Sequence, residues 1–159
     1  MPSRFPAGKR YDVFISFADE DILAASLVCA ALEYAGLRCW IALRDVPAGT
    51  DWVVAVTDAI AHASCVVLLL SQHANSSIQV KRELEWGVSC RTRFLPLRLE
   101  DVEPHPSLAF CLGTETWLDA FPPPLLGHLP ALVGTANRVL ARREQAASLR
   151  IWLGRAFRR

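Results

Sequence analysis

Polar side chains that could do chemistry follow the ends of three apolar runs in the sequence. Ser16 and Asp19 come after the first run. Arg44 and Asp45 come after the second run, and Ser71 comes after the third. Parallel strands end at the same edge of a sheet, so strands at these runs would bring the five side chains together. The sequence therefore predicts a ligand crevice lined by hydroxyl, carboxylate and guanidinium groups.

Glu83 is a further candidate, in the helix expected after the third run. At about 100° per residue, Val80, Leu84 and Gly87 form the buried stripe of that helix together with Val88. Glu83 lies at the edge of the stripe, about 60° from Val80. A carboxylate at the boundary of the core, near the carboxyl end of a strand, is a candidate functional group. Periodicity alone favours an ordinary surface acid, so both interpretations stay open.

The motifs of several common sites are missing from the sequence. There is no GxGxxG after the first apolar run and no GxxxxGK[ST], so classical dinucleotide and P-loop sites would lack the glycines that bind phosphate. No GxSxG motif is present, and the histidines are scattered without metal-ligand spacing. The third run ends in Leu70 and Ser71 rather than in an aspartate, which argues against a response-regulator phosphoacceptor.

Composition and cysteine usage indicate one globular domain from a reducing compartment. Of the 159 residues, 52% are hydrophobic and 21% are charged, which is enough apolar material for one core. The 5 cysteines, with no CxxC pair, argue against a disulfide framework and against a zinc site, so no metal is expected. We expect a cytoplasmic protein, because no apolar run is long enough to span a membrane and the first ten residues lack an apolar signal segment. The cysteines are Cys29, Cys39, Cys65, Cys90 and Cys111.

Charge is uneven along the chain. Residues 138–159 contain seven arginines and one glutamate, whereas the rest is mildly acidic and the whole chain has a net charge of +1. A basic tail on an acidic body is not typical of a dedicated nucleic-acid-binding domain, and we expect direct contact with neither nucleic acid nor a membrane. We predict a flexible leader at residues 1–9 and a domain at residues 10–146. Residues 147–159 would form a basic amphipathic tail or a connector to a domain absent from this chain.

Short apolar runs alternate with helical segments. We predict strands at residues 11–17, 38–43, 65–70, 94–99 and about 116–118. Helices are predicted at residues 19–35, 51–63 and 78–90 and from about residue 126, with polar loops at residues 44–50 and 71–77. This alternation predicts right-handed βαβ units and helices on both faces of a parallel sheet. The predicted fold class is therefore α/β: a flavodoxin-like, three-layer fold with a five-stranded parallel sheet in the order 2-1-3-4-5.

Four segments carry a family resemblance. They are YDVFISFADED from residue 11, LEYAGLRCWIALRDVPAGTDW from residue 32, CVVLLLSQHANSSIQVKREL from residue 65 and FLPLRLE from residue 94. Together they closely resemble a Toll/interleukin-1 receptor (TIR) domain of the bacterial type, over about residues 10–121. RDVPAG resembles the family's BB loop, which is used for contacts between domains. The resemblance therefore implies an assembly loop that includes Asp45, Pro47 and Gly49.

The segment that ends in KREL resembles the stretch holding the catalytic glutamate of NAD-cleaving TIR domains. Glu83 takes the place of that glutamate. Cleaving the nicotinamide–ribose bond of NAD+ expels neutral nicotinamide from a cationic ring, so no general acid is needed. A carboxylate can stabilise the oxocarbenium-like ribosyl centre that remains. Water or an adenine nitrogen then captures this centre, giving ADP-ribose or a cyclic ADP-ribose. NAD+ would be a substrate, and no cofactor is expected.

The resemblance also implies a substrate-binding set around Glu83. Many TIR domains carry Trp-Cys four and three residues before the glutamate, where this chain has Gln79 and Val80. Trp86 or Trp52 can take the place of the missing aromatic, or can serve in packing alone. The predicted substrate-binding residues are Ser16, Phe17, Asp19, Arg44, Trp52, Ser71 and Gln79.

Two functions from different classes follow from these observations. The first is an NAD+ glycohydrolase that is activated by self-assembly and serves as the effector of a bacterial antiphage or cell-death system. Its partners would be NAD+, further copies of the chain, and a sensor domain or partner protein. The second is a catalytically inactive adapter that binds other TIR domains through residues 44–50.

Overall fold

Five parallel strands form a single sheet in this computed structural model, which describes residues 10–113 and 117–156. Within these residues the sheet order is β2-β1-β3-β4-β5, and every neighbouring pair is parallel. The predicted flavodoxin-like topology is confirmed. The strands are β1 (Tyr11–Ser16), β2 (Cys39–Trp40), β3 (Ala63–Leu70), β4 (Arg93–Arg98) and β5 (Leu118–Asp119).

Helices cover both faces of the sheet, so the fold has three layers. Side chains alternate between the faces along each strand. Val13 and Ile15 of β1 pack with the helices Ile22–Tyr34 and Leu129–Ala156 on one face, whereas Phe14 packs with three helices on the other face. Every residue of β3 is buried, as its predicted central position requires. The helices are α1 (Ile22–Tyr34), α2 (Ala42–Asp45), α3 (Trp52–His62), α4 (Gln72–Ser76), α5 (Ile78–Ser89), α6 (Pro106–Leu112) and α7 (Leu129–Ala156).

Three local predictions were wrong at the ends of strands. The predicted second strand ends at Trp40, because the chain turns into α2 and the Asp45 carboxylate accepts a hydrogen bond of 2.8 Å from the Ile41 amide. The predicted loop at residues 71–77 contains α4, whose N-terminus is capped by Ser71. Residues 19–21, predicted as the start of the first helix, instead form a 3-10 turn without side-chain caps, and α1 begins at Ile22.

Two predictions concern the ends of the domain. The predicted leader at residues 1–9 lies outside the described residues, as does residue 116 of the predicted fifth strand. The predicted boundary after residue 146 falls inside α7, which runs without interruption from Leu129 to Ala156. A connector role for residues 147–159 stays a prediction. Across residues 10–113 and 117–156, we find no helix with the length and apolar character needed to cross a membrane.

A close contact between α5 and β4 sets the depth of the helix that carries Glu83. A Cβ atom at Gly87 would lie 2.8 Å from Cζ of Phe94, nearer than a side-chain carbon tolerates. Glycine at this position therefore lets α5 approach the sheet one turn after Glu83. At the start of the helix, Ser77 accepts a hydrogen bond of 3.2 Å from the Val80 amide.

Candidate active site

Glu83 lies inside the domain, not at its surface. It is 4% exposed and belongs to the buried face of α5 with Val80, Leu84 and Gly87. Val88, predicted for that face, is instead 47% exposed. Compared with the predicted orientation, α5 is therefore rotated about its axis so that Glu83 points inward and Val88 points outward. Burial of an unpaired carboxylate is costly, so its hydrogen-bond partners determine what it can do.

Two side chains hold the Glu83 carboxylate, one on each oxygen. The Ser16 hydroxyl, at the end of β1, donates to Oε2 at 2.6 Å. The Gln79 amide, one turn earlier on α5, donates to Oε1 at 3.1 Å. Burial raises the pKa of Glu83 to about 7, against the lowering effect of these two hydrogen bonds and with a smaller raising effect from Asp19. The group can therefore change its charge near neutral pH.

A cavity of about 380 Å³ lies between α3 and α5, and Glu83 forms part of its wall. Its walls combine aromatic, aliphatic and polar groups, which is the usual character of a small-molecule site. The lining residues are Trp52, Val53, Val56, Thr57, Ile60, Ile78, Gln79, Arg82, Glu83 and Trp86.

Two indole rings flank this cavity. Trp52 begins α3 and is 41% exposed, and Trp86 lies three residues after Glu83 on α5 and is 42% exposed. Trp86 is fixed in place, because its indole N–H donates a hydrogen bond of 2.9 Å to the Thr57 carbonyl. Both aromatic candidates named from the sequence therefore lie at the cavity that holds Glu83.

Arg82 is a lining residue that the sequence reasoning missed. It directly precedes Glu83 in the KREL segment and is exposed. Its guanidinium has no hydrogen-bond or ion-pair partner within residues 10–113 and 117–156. The signal in the sequence was a cationic residue directly before the candidate glutamate. Arg82 gives the cavity a guanidinium that can bind an anion.

Gln79 also faces a second, smaller cavity. This cavity has a volume of about 320 Å³ and includes Asp19, Glu20, His73 and Ser77 among its lining residues. Asp19 therefore lies on the other side of Gln79 from the two tryptophans. The second cavity has a polar lining, and Gln79 joins it to the Glu83 cavity.

Comparison with known proteins identifies the family. The sequence profile of the TIR domain matches residues 13–124, which is more than half of the chain. The chain belongs to the TIR domain family. As a family, TIR domains include NAD-cleaving enzymes and inactive adapters.

Individual relatives agree with this assignment. The human Toll/interleukin-1 receptor domain-containing adapter protein is 37% identical over 65 residues, a match that spans 40% of this chain and 29% of the human protein. The TIR domain of the Toll-related receptor TRR-2 from Hydra magnipapillata superimposes with a TM-score of 0.59 at 26% identity, covering 69% of this chain and 84% of that one. A TIR-STING receptor from C. gigas, solved with 2′,3′-cGAMP, gives a TM-score of 0.59 at 25% identity, covering 72% of this chain and 36% of the receptor.

Three residues of the predicted substrate-binding set lie elsewhere in the TIR domain. Phe17 is buried in the core formed with α1 and α7, on the opposite face of the sheet from Glu83. Arg44 pairs with Glu33 and Asp45 outside the Glu83 cavity. Ser71 caps α4 at the Ala74 amide, and its hydroxyl donates to the Asp21 carboxylate. Arg44 and Ser71 make their polar contacts elsewhere and Phe17 lies in the core, and none of the three lines the Glu83 cavity. The set that the fold does bring together with Glu83 is Ser16, Gln79 and Trp52, with Asp19 beyond Gln79.

The predicted assembly loop projects from the TIR domain. Asp45 is the last residue of α2 rather than a loop residue, and it pairs with Arg44 at 2.9 Å. Pro47 and Gly49 are exposed, and the Thr50 amide donates to the Pro47 carbonyl at 3.1 Å to close a turn. Gly49 occupies the left-handed region, with φ of 77°, which suits glycine. A Cβ at this position would meet no atom within 4 Å, so the loop tip is open.

Proposed function

We propose that this TIR domain is an NAD+ glycohydrolase that cleaves the nicotinamide–ribose bond. The observation that carries the proposal is the buried Glu83 carboxylate in the wall of a cavity flanked by Trp52 and Trp86. A buried carboxylate oriented by two donors is preorganised to stabilise a developing positive charge. Little reorganisation is required of it, because Ser16 and Gln79 already hold both oxygens.

The reaction needs one such carboxylate. When the bond between ribose C1′ and the pyridinium nitrogen breaks, its electron pair goes to the nitrogen and nicotinamide leaves neutral. Positive charge then develops on C1′ and the ring oxygen of the ribose, where ionised Glu83 stabilises it. Water adds to C1′ and loses a proton, giving ADP-ribose. Capture by an adenine nitrogen of the same molecule gives a cyclic ADP-ribose instead.

The cavity also offers groups for the rest of the substrate. Trp86 and Trp52 present aromatic surfaces, and an indole attracts a cationic ring such as nicotinamide in NAD+. The exposed guanidinium of Arg82 suits the diphosphate, because arginine binds phosphate oxygens with directed N–H groups. In this proposal Gln79, at the position where relatives carry tryptophan, orients Glu83 and does not stack on the substrate.

Self-assembly through the loop at residues 44–50 completes the proposal. The exposed turn around Gly49 is accessible to a second copy of the domain. Activation would follow when clustering stabilises the catalytic arrangement. The human relative is named an adapter protein.

The alternative function is that of an inactive adapter. Gln79 in place of the usual tryptophan is the observation that favours it, together with the partial match to the human adapter protein. Such a protein would use the same assembly loop but would leave NAD+ unchanged.

NAD+ consumption separates the two functions. The purified chain is incubated with NAD+ in dilute solution and after tethering at high density through an affinity tag, and the products are separated by chromatography. We expect an NAD+ glycohydrolase to release nicotinamide together with ADP-ribose or its cyclic form, and to do so faster when the chain is clustered. Unchanged NAD+ in both states, with clustering verified by light scattering, would favour the adapter.

A further inference from the structure

A second cluster of reactive side chains lies on the sheet face opposite Glu83. It consists of the Cys29 thiol, the Glu33 carboxylate and the Cys39 thiol. One ligand atom from each of the three lies within 4.8 Å of the other two. Both cysteines are buried in the core that includes α1, whereas Glu33 reaches the surface. The proposed NAD+ chemistry uses none of these groups.

The fold creates this cluster from residues with no recognisable metal-binding spacing. Cys29 and Glu33 are four residues apart, on one face of α1. Cys39 lies on β2, the edge strand that pairs with β1 at Val13. The helix packs over this strand and brings the second thiol to the first. Sequence spacing predicted no zinc site, because the third ligand comes from a strand and not from a CxxC pair.

A positively charged side chain reaches the two thiols. The Arg44 guanidinium lies 3.8 Å from the Cys29 sulfur, so a positive charge stands beside the cluster.

Arg44 supports the cluster from outside. It donates to the Glu33 carboxylate at 3.1 Å and to the Cys39 carbonyl at 3.1 Å. A carboxylate has about four lone-pair positions, so Glu33 can bind a cation and keep its bonds to Arg44. A hydrogen-bond donor that contacts the ligands from outside orients them, and the positive charge of Arg44 offsets part of the charge of two thiolates.

An open cavity gives access to the cluster. It has a volume of about 270 Å³, and Cys29, Glu33, Ile41 and Arg44 are among its lining residues. A cation can enter by this route, and a water molecule can occupy the coordination position that the protein leaves open. Two soft sulfur donors select a thiophilic metal ion over Mg²⁺ or Ca²⁺, which prefer oxygen.

We propose that Cys29, Glu33 and Cys39 form a Zn²⁺ site, with water as the fourth ligand. The site joins α1 to β2 and, through Arg44, to the start of the assembly loop. This inference does not depend on the proposed NAD+ chemistry.

Co²⁺ binding to the full chain under reducing conditions tests the site, because thiolate ligands give Co²⁺ a charge-transfer absorption. We expect one equivalent of Co²⁺ to produce this absorption and Zn²⁺ to abolish it. Cys29→Ser and Cys39→Ser should each weaken binding at least about tenfold, while Cys90→Ser, at a cysteine outside the cluster, should bind as the wild type does.

Glu33→Gln keeps both buried thiols and changes only the partly exposed ligand. It therefore tests the site even if the cysteine variants fail to fold. It should retain the thiolate absorption with weaker affinity, while circular dichroism shows an unchanged fold. Absence of the absorption in the wild type would overturn the site. So would an absorption that survives in the Cys29→Ser, Cys39→Ser double variant.

Discussion

Ser16, the last residue of the first strand, donates a hydrogen bond of 2.6 Å to Glu83, which lies 67 residues later in the chain. This contact joins the carboxyl end of β1 to α5, the second helix after β3, at the position where the strand order of the sheet reverses. The topological switch point is where this class of fold builds its ligand sites. The hydrogen bond therefore ties the fold directly to the proposed chemistry.

Ser16→Ala should shift the pH dependence of NAD+ cleavage. The Ser16 hydroxyl stabilises the ionised form of Glu83, so its loss raises the pKa of that carboxyl further above about 7. We expect a severalfold fall in kcat/KM at pH 7 that recovers at higher pH. The measurement is a pH–rate profile beside Ser26→Ala, an exposed serine on α1 outside the site. A uniform loss at all pH values would contradict a role through the ionisation of Glu83.

Glu83→Gln should change how the free energy of unfolding depends on pH. The folded-state pKa of about 7 lies above the ordinary value of 4.5, so the folded state holds a proton that the unfolded state releases first. Stability is thus lost as pH rises from about 4.5 to about 7, by about 3 kcal/mol in total. The variant should lack this loss and be more stable than the wild type at about pH 8.

Urea denaturation at several pH values measures this effect, with Glu85→Gln as the control on the exposed face of α5. Glu85 lies 3.9 Å from Lys81, one turn earlier on the helix, and its replacement should leave the pH dependence unchanged. Parallel curves for the wild type and Glu83→Gln would show that Glu83 titrates at its ordinary pKa.

Arg82→Ala should weaken recognition of the diphosphate. We expect KM for NAD+ to rise about tenfold, the size of one charge-assisted hydrogen bond. Nicotinamide riboside has the same scissile bond and no diphosphate, so its cleavage should change little. Lys81→Ala, on the same helix but outside the lining of the cavity, is the matched control. Equal effects on both substrates would assign Arg82 to the position of Glu83 and not to phosphate binding.

Gly49→Val should impair self-association. A β-branched residue at φ of 77° is strained, although the side chain would meet no atom within 4 Å. The turn should change shape at a cost of about 1–3 kcal/mol, mostly local to the loop. Light scattering should show weaker assembly, with circular dichroism unchanged. Gly127→Ala, at an open glycine without positive φ, should assemble normally. Wild-type assembly by Gly49→Val would remove the loop from the interface.

The sheet could be predicted from sequence because each strand is a short apolar run and β3 is wholly buried. The ends of the strands could not. Ile41 continues the apolar pattern of β2, yet the Asp45 carboxylate holds its amide and starts α2. A local side-chain hydrogen bond determines where this strand ends, and hydrophobic periodicity cannot predict such a bond.

The candidate site was predictable in part. The family resemblance pointed to Glu83, but an ideal helical wheel placed it at the edge of the buried stripe, with Val88 inside. Gly87, by its close approach to Phe94, sets how α5 lies on the sheet and which side chains turn inward. The tertiary pairing of Cys29 with Cys39 depends on how α1 packs over β2, and spacing along the chain does not encode it.

Nicotinamide release by the clustered wild type, Glu83→Gln and Glu85→Gln tests most directly whether the Glu83 carboxylate cleaves NAD+. The first substitution removes the charge of the buried carboxylate and keeps its size, and the second removes a charge from the exposed face of the same helix. We expect release by the wild type and Glu85→Gln and at least about a hundredfold slower release by Glu83→Gln. Equal rates for the wild type and Glu83→Gln, or no release by a wild type shown to be clustered, would contradict it.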